Sequence, residues 1–351
     1  MSMQFTSGIK HPEFYLWDAW SYESNNVFHL FCLAIPRQDF WGAPIDPSDR
    51  NNHAFHIHHF ESTDSGATWR DAGVHRRPGM TEPYDEANVW SGSVTPLPDG
   101  IVEAYTGVRS ASSEQPFIQN LILSLLNADG SSASGHCVLC PERDHDYIVS
   151  SGYFIDDKEN LGSNKGECGG PILAWRDPFV FAYDQKTYVA FAAKSSEREP
   201  ALGIAQLVNG LQGAVLLPPI LLPDSDEFTQ FEIPKLFYLQ KLKQYILVAA
   251  TTDRQSEMQH DCEISNCIRL YIGESPFGPW IRAGKQSSIL CGVDHLFGAT
   301  ILGLDERNNR LIFMAPYTSK ATDDLQLSFA PRFFVTLDQL SQQDQLFASW
   351  E

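Results

Sequence analysis

The sequence predicts an all-β protein, a five-bladed β-propeller with about four antiparallel strands per blade, on three observations. Short apolar or alternating runs are broken at close intervals by Gly, Pro, Asp and Asn. Stretches with the period of a helix are scarce. Five segments of roughly 50 to 75 residues can be laid side by side, the length range of propeller blades. Each opens on a polar or charged motif, runs through an apolar strand, a turn and further strands, and often closes on a turn bearing Trp. No linker or composition break divides residues 1–351, so a single domain is expected.

The first segment opens at Trp17-Asp18-Ala19-Trp20, continues through residues 27–33 and 54–60, and ends in Ser62-Thr63-Asp64-Ser65-Gly66-Ala67-Thr68-Trp69. That ending matches the S-x-D-x-G-x-T-W box of propeller hairpins, in which the Asp and Thr satisfy backbone groups and the Trp packs between strands. The second opens at Asn88-Val89-Trp90-Ser91-Gly92-Ser93 and carries strands over 101–107 and 121–125. The third opens at Trp175-Arg176-Asp177-Pro178, followed by 179–181 and 188–192. The fourth opens at Phe231-Glu232-Ile233-Pro234, with strands over 244–248 and 268–272 and a turn at Ser275-Pro276-Phe277-Gly278-Pro279-Trp280. The fifth opens near Asp294-His295-Leu296-Phe297-Gly298, with strands over 310–315 and 325–329. The stretch between Leu126 and Glu167, rich in Ser, Gly, Asp and His, reads as a long loop.

Composition removes several functions. The chain has 351 residues, 43% hydrophobic, and a net charge of −19. Such an acidic surface repels phosphate backbones and anionic lipid, so neither nucleic acid nor a membrane is an expected partner. The aromatics, 22 Phe, 12 Tyr and 8 Trp, are of the kind that stack on sugar faces. The first ten residues lack a charged stretch followed by an apolar one, and no apolar run reaches the ~20 residues that span a bilayer. The seven Cys are odd in number and scattered, and Cys137-x-x-Cys140 has no second pair at zinc spacing. Reduced, mostly buried thiols in a cytoplasmic protein are expected, with no metal and no cofactor. The sequence carries no signal of oligomeric state.

Three carboxylates open three segments: Asp18, Asp177 and Glu232, each with an aromatic residue close by. In a propeller the strands that open the blades start at the central channel, which is why these motifs are read together. Glycoside hydrolysis needs two carboxyls flanking the scissile bond, an acid for the leaving oxygen and a nucleophile or base. A third can bind sugar hydroxyls and stabilise positive charge on the ring. Glu232, between Phe231 and Ile233, suits the acid, because apolar surroundings raise a carboxyl pKa. Asp18, between Trp17 and Ala19, suits the nucleophile. The adjacent pair Arg176-Asp177, at the mouth of an apolar hairpin, reads either as an ion pair stapling the strand or as part of a sugar site.

Trp17-Asp18-Ala19-Trp20, Trp90-Ser91-Gly92-Ser93, Trp175-Arg176-Asp177-Pro178 and Glu232-Ile233-Pro234 together resemble the ordered motif set of the fructan-active five-bladed propeller enzymes. These are glycoside hydrolase family 68 (levansucrases, inulosucrases, β-fructofuranosidases) and the related family 32 (invertases). The resemblance spans about residues 12 to 335 and implies a retaining enzyme acting on small β-fructofuranosides such as sucrose, with or without transfer of the fructosyl group. It implies Asp18 as nucleophile, Glu232 as acid/base, and Asp177, beside Arg176, as the acid that binds fructose hydroxyls and stabilises the transition state. Ser91 is implied to hydrogen-bond the nucleophile, and Trp17 and Trp90 to wall the fructose pocket. Three positions depart from the levansucrase pattern. Ser21 stands where a Pro is usual, Gln230 where a Glu precedes the acid/base, and Ile233 where an Arg follows it. The last two belong to recognition of the leaving group or acceptor, so hydrolysis of a small fructoside inside the cell is the expected activity rather than polymer synthesis.

Two competitors have their own signatures. An inverting α-L-arabinofuranosidase or β-xylosidase of the family 43 type has the same fold and three acids in the same order; Arg176 before Asp177 and the Trp-Ser-Gly-Ser motif favour the fructose side. A non-catalytic sugar-binding propeller would keep the pocket alone. A sialidase would need an arginine triad and a Tyr nucleophile, a set not identifiable here. The group His53, His56, His58 and His59 tempts a metal reading, but histidines on a second strand of a blade are expected to be solvated or cross-strand partners. His295, opening the fifth segment, is a candidate substrate contact, as is Gln230. Glu82, Tyr84, Asp85 and Glu86 read as solvated loop residues, and Gly169-Gly170 lacks the strand-to-helix context of a phosphate loop.

Overall fold

A computed structural model describes residues 3–127, 129–322, 324–340 and 342–351. Met1 and Ser2, part of the N-terminal stretch read above, lie outside them. The protein is a five-bladed β-propeller built of antiparallel sheets. The first sheet holds β1 (Gln4–Thr6), β2 (Phe14–Ser24), β3 (Val27–Pro36), β4 (His56–Ser62) and β5 (Thr68–Arg76), in the order β1-β5-β4-β3-β2. The second holds β6 (Asn88–Leu97), β7 (Gly100–Arg109), β8 (Ile118–Leu125) and β9 (His136–Leu139) in sequence order. After a helix, α1 (Pro141–Ser150), come the third sheet, β10 (Arg176–Tyr183), β11 (Lys186–Lys194), β12 (Pro200–Val208) and β13 (Gly213–Leu216), and the fourth, β14 (Gln230–Leu239), β15 (Gln244–Thr252), β16 (Asn266–Gly273) and β17 (Ile281–Arg282). A short strand, β18 (Leu290–Cys291), precedes the fifth sheet, β19 (Thr300–Asp305), β20 (Arg310–Met314), β21 (Phe333–Thr336) and β23 (Ser349–Trp350); β22 (Leu346–Phe347) pairs in parallel with β18.

The chain divides into two compact units, Met1–Arg77 with Cys267–Leu270 and Arg282–Glu351, and Pro78–Asn266 with Tyr271–Ile281. In the first, Leu16, Leu30, Phe60, Trp69, Leu302 and Phe334 belong to one buried cluster. In the second, one cluster gathers around Trp175, Val189 and Phe191, another around Phe231, Leu247, Tyr271 and Trp280. The inner strands that supply these residues, such as β11 and β15, are buried at successive positions, as continuous apolar runs allow.

One irregularity recurs. Each of β2, β6, β10, β14 and β19 carries one extra residue against its partner, between Trp17 and Trp20, Trp90 and Gly92, Arg176 and Phe179, Glu232 and Lys235, and Ile301 and Gly303. A bulge of this kind kinks the strand and re-aims a side chain. In three of them the residue after the break has a left-handed backbone: Asp18 at φ 50°, Asp177 at 61° and Ile233 at 51°. Asp tolerates that region better than most residues; a β-branched Ile does not.

The structure corrects three expectations. The stretch after Leu126 is not merely loop: it includes β9 and α1. Pro141 starts the helix, and Asp144 in its first turn accepts the Cys140 amide at 2.8 Å. The third strand of the fifth blade is Phe333–Thr336, not 325–329, because Leu325 and Gln326 turn back onto the Thr322 carbonyl and Leu327 is left-handed at φ 48°. Among the described residues no cysteine is in a disulfide, but of the seven only Cys32, Cys137 and Cys140 are buried; Cys168 and Cys262 are exposed. Among the described residues, no helix is long and apolar enough to cross a membrane.

Candidate active site

In the second unit the bulges of β10 and β14 bring a charged cluster together. Arg176, the last residue before its bulge, donates from Nη2 to Glu232 Oε1 at 3.2 Å and from Nη1 to the Leu173 carbonyl at 3.3 Å. Its Nε lies 3.8 Å from Asp177 Oδ2. The guanidinium sits 6.0 Å from the centre of the Trp90 ring. Asp177 accepts the Ile233 amide on Oδ2 at 2.9 Å, so the two left-handed residues of neighbouring bulges hold each other. The side chains of Asp177 and Arg176 are 4% and 12% exposed and that of Glu232 is 21%, so of the two acids Glu232 is the one solvent reaches more.

Three residues that the motifs did not flag support this cluster. Thr106 Oγ1 accepts the Asp177 amide at 2.8 Å and donates to the Ser91 carbonyl at 3.2 Å, joining the second and third opening motifs. Gln119 accepts the Trp175 amide at 2.9 Å, fixing the approach to β10. Lys194 is buried and donates to the Thr229 carbonyl, just before β14. Ser91 is itself buried, at the bulge of β6. Gln230 is buried too, its amide nitrogen 3.3 Å from both the Ile172 and the Arg254 carbonyl, so it ties two loops together. Its Oε1 is buried without a hydrogen-bond partner.

In the first unit Asp18 occupies the bulge of β2, and the next amide, Ala19, donates to the Gly298 carbonyl at 3.0 Å. Trp17 packs edge-on against Phe55, with ring centres 4.8 Å apart. Ser21 bonds Thr300 Oγ1 and the Ile301 carbonyl, each at 3.0 Å. His295 is exposed and left-handed at φ 65°, its carbonyl accepting the Thr318 amide. Register sets the three acids apart: Asp18 and Asp177 are first in their bulges, whereas Glu232 stands one place earlier, where the other strands have Trp17 and Arg176.

Hydrogen bonds link the histidines of the first sheet in chains. His11, His58 and Asp71 offer three ligand atoms within 4.8 Å of one another. Yet His11 Nδ1 accepts the amides of Glu13 and Phe14 at 3.1 and 3.2 Å, so its proton sits on Nε2 and points at Asp71 Oδ2, 3.2 Å away. A metal-binding imidazole uses one bare nitrogen and donates from the other, and these two amides forbid that. Asp71 Oδ1 takes the other contact, from His58 Nε2 at 2.8 Å, and His56 Nε2 lies 3.2 Å from His58 Nδ1. The other group, His29, His59 and Glu61, has its carboxylate taken by Arg70. Burial lowers the pKa of His56 to about 3 and of His59 to about 2, and lowers those of His29 and His58. Asp85, expected to be solvated, is buried and accepts Tyr105 Oη at 2.8 Å and the Thr81 amide at 2.9 Å; Glu82 and Glu86 are exposed.

Three blades thus carry an acid at or beside the bulge of their first strand: Asp18, Asp177 and Glu232. The family model described as Glycosyl hydrolases family 32 N-terminal domain matches residues 21–267, and the chain belongs to that family of enzymes. No curated protein matches the chain. Solved structures of similar fold include an inulosucrase from Halalkalicoccus jeotgali bound to kestose, 17% identical, covering 98% of this chain and 92% of that one at a TM-score of 0.67. A levansucrase variant from Bacillus subtilis in complex with oligosaccharides is 16% identical over 97% of this chain and 90% of that one, at 0.64. A B. megaterium levansucrase variant is 16% identical over 95% and 87%, at 0.60. At these identities the likeness is one of fold.

Proposed function

We propose that the protein is a retaining β-fructofuranosidase that hydrolyses sucrose or short fructosides. The observation that carries this reading is the cluster around Arg176: a buried acid, Asp177, pinned by a backbone amide, and a reachable acid, Glu232, held by a guanidinium at 3.2 Å. Those are the needs of an acid that grips hydroxyls and an acid that exchanges protons. The family membership and the fructose-containing kestose held by a protein of like fold support the choice of sugar.

In the proposed reaction Asp18 attacks the anomeric carbon as the glycosidic bond breaks, and Glu232 protonates the leaving oxygen. Water then attacks the fructosyl–Asp18 ester, giving its proton to Glu232 and freeing Asp18. Asp177 holds ring hydroxyls and the developing positive charge, Ser91 orients Asp18, and Trp17 and Trp90 wall the sugar. Exposed His295 reaches substrate from the fifth blade. Gln230, which is buried, keeps its loops in place. With Ile233 in place of a charged donor, the leaving-group side grips weakly, which favours hydrolysis of small substrates over polymer building.

The test is substitution. Glu232→Gln should lower fructose release by about 10²–10⁴-fold, and Asp18→Asn should lower it to background, with melting temperatures near the wild type. Wild-type turnover by either variant refutes its assignment.

A further inference from the structure

Arg176 is not the only cation near Glu232. Lys194 ends β11, which packs against β14, and it is 1% exposed. Its ammonium is anchored on the Thr229 carbonyl and its own carbonyl accepts the Phe154 amide at 2.9 Å. Burying an ammonium on a carbonyl is costly, and an apolar side chain there would avoid the cost. Lys194 therefore contributes something that packing alone does not need.

The carbonyl that anchors Lys194 belongs to Thr229, three residues before Glu232, which places the ammonium at the start of the strand that carries the acid. Burial lowers the Lys194 pKa to about 7; Arg176 adds to the lowering and Glu232 opposes it. The strands packed against β14 carry few other charges. β10 brings Arg176 and Asp177, and β11 brings Lys194, with Lys186 at its far end. β12 has no charged residue, and β15 has only Tyr245 to titrate, paired with Tyr238 near the other end. On β14 itself Lys235 is turned to the Ile233 carbonyl at 3.1 Å.

We propose that Lys194 is a positioning residue for Glu232: its buried ammonium, fixed on Thr229, adds its positive charge to that of Arg176 and sets the pH range over which Glu232 can deliver a proton. This rests on the reading of Glu232 as the acid/base. Nearby positive charge favours the carboxylate, so Lys194 holds the acid ready to release its proton to the leaving oxygen. Removing that charge lets the carboxyl keep its proton to higher pH, and the basic limb of the kcat/KM profile moves up.

Two variants separate charge from tethering. Lys194→Gln can still donate to the Thr229 carbonyl without the charge; Lys194→Met removes both. The basic limb should rise by about half a pH unit or more in both. A limb that stays in place in both variants while activity falls would make Lys194 a tether only and overturn the proposal. A second measurement does not depend on turnover. The Lys194 Nζ resonance, titrated by NMR, should have its midpoint near 7 in the wild type and move lower in Glu232→Gln, which loses the opposing negative charge. A midpoint that stays put overturns the coupling. Failure to cleave any fructoside would instead overturn the proposed function, leaving the titration to decide the coupling.

Discussion

Asp177 and Ile233 stabilise each other's backbone. Ile233 at φ 51° sits where a β-branched residue is strained by about 1–3 kcal/mol, and its amide bonds the buried Asp177 carboxylate at 2.9 Å. Two substitutions separate structure from chemistry. Asp177→Asn keeps an oxygen for the Ile233 amide, so urea unfolding should change little while turnover falls. Asp177→Ala leaves that buried amide without its acceptor and should cost about 1–3 kcal/mol in the same experiment. Equal stability of the two variants would show that the amide does not depend on Asp177. At this scale the sequence marked the acids and Arg176, because adjacent opposite charges before a Pro are unusual at an apolar strand. It did not mark Thr106 or Lys194. A Thr inside an apolar strand and a Lys at its end have ordinary readings, as a β-former and a solvated terminus, and only tertiary packing gives them another.

The bulge is the element that turns strands into a site. Its existence was not legible, since β10 and β14 are buried at successive positions around it, so that a slip of one residue interrupts no alternation, whereas the hairpin box Ser62–Trp69 was. Asp64 accepts the Thr68 amide and hydroxyl at 2.8 and 2.7 Å, and Trp69 is buried. Helix α1 escaped notice because 10 residues among Ser, Gly and Asp give a weak periodic signal. The first sheet also carries a pH dependence. His29, His56, His58 and His59 have depressed pKa values in the folded chain, so the unfolded chain binds more protons below its usual His value of about 6.5. Their contribution to stability is therefore complete above that pH and is lost as pH falls toward 3. Urea midpoints should decline from pH 7 to pH 4, and less steeply for His56→Gln. A midpoint that does not change over that range would contradict the buried, neutral histidines.

At the scale of the molecule, five short-stranded segments announced the fold, and the order of four motifs along the chain announced the family, since blade lengths fix their spacing. Two positions were less legible: Gln230 and Ile233 could be read only as departures from the motif set, and their loop-tying and bulge-forming roles depend on residues far away in sequence. The net charge of −19 suits a neutral sugar, which the acidic surface neither attracts nor repels. The most direct test is to incubate the protein with sucrose, short levan and inulin oligomers, and aryl arabinosides, in buffer containing methanol, and to follow products by NMR. The predicted result is fructose and methyl β-fructofuranoside from at least one fructoside, with the arabinosides intact. Release of arabinose alone, an α-fructoside as the first methanol product, or no cleavage of any fructoside would contradict a retaining β-fructofuranosidase.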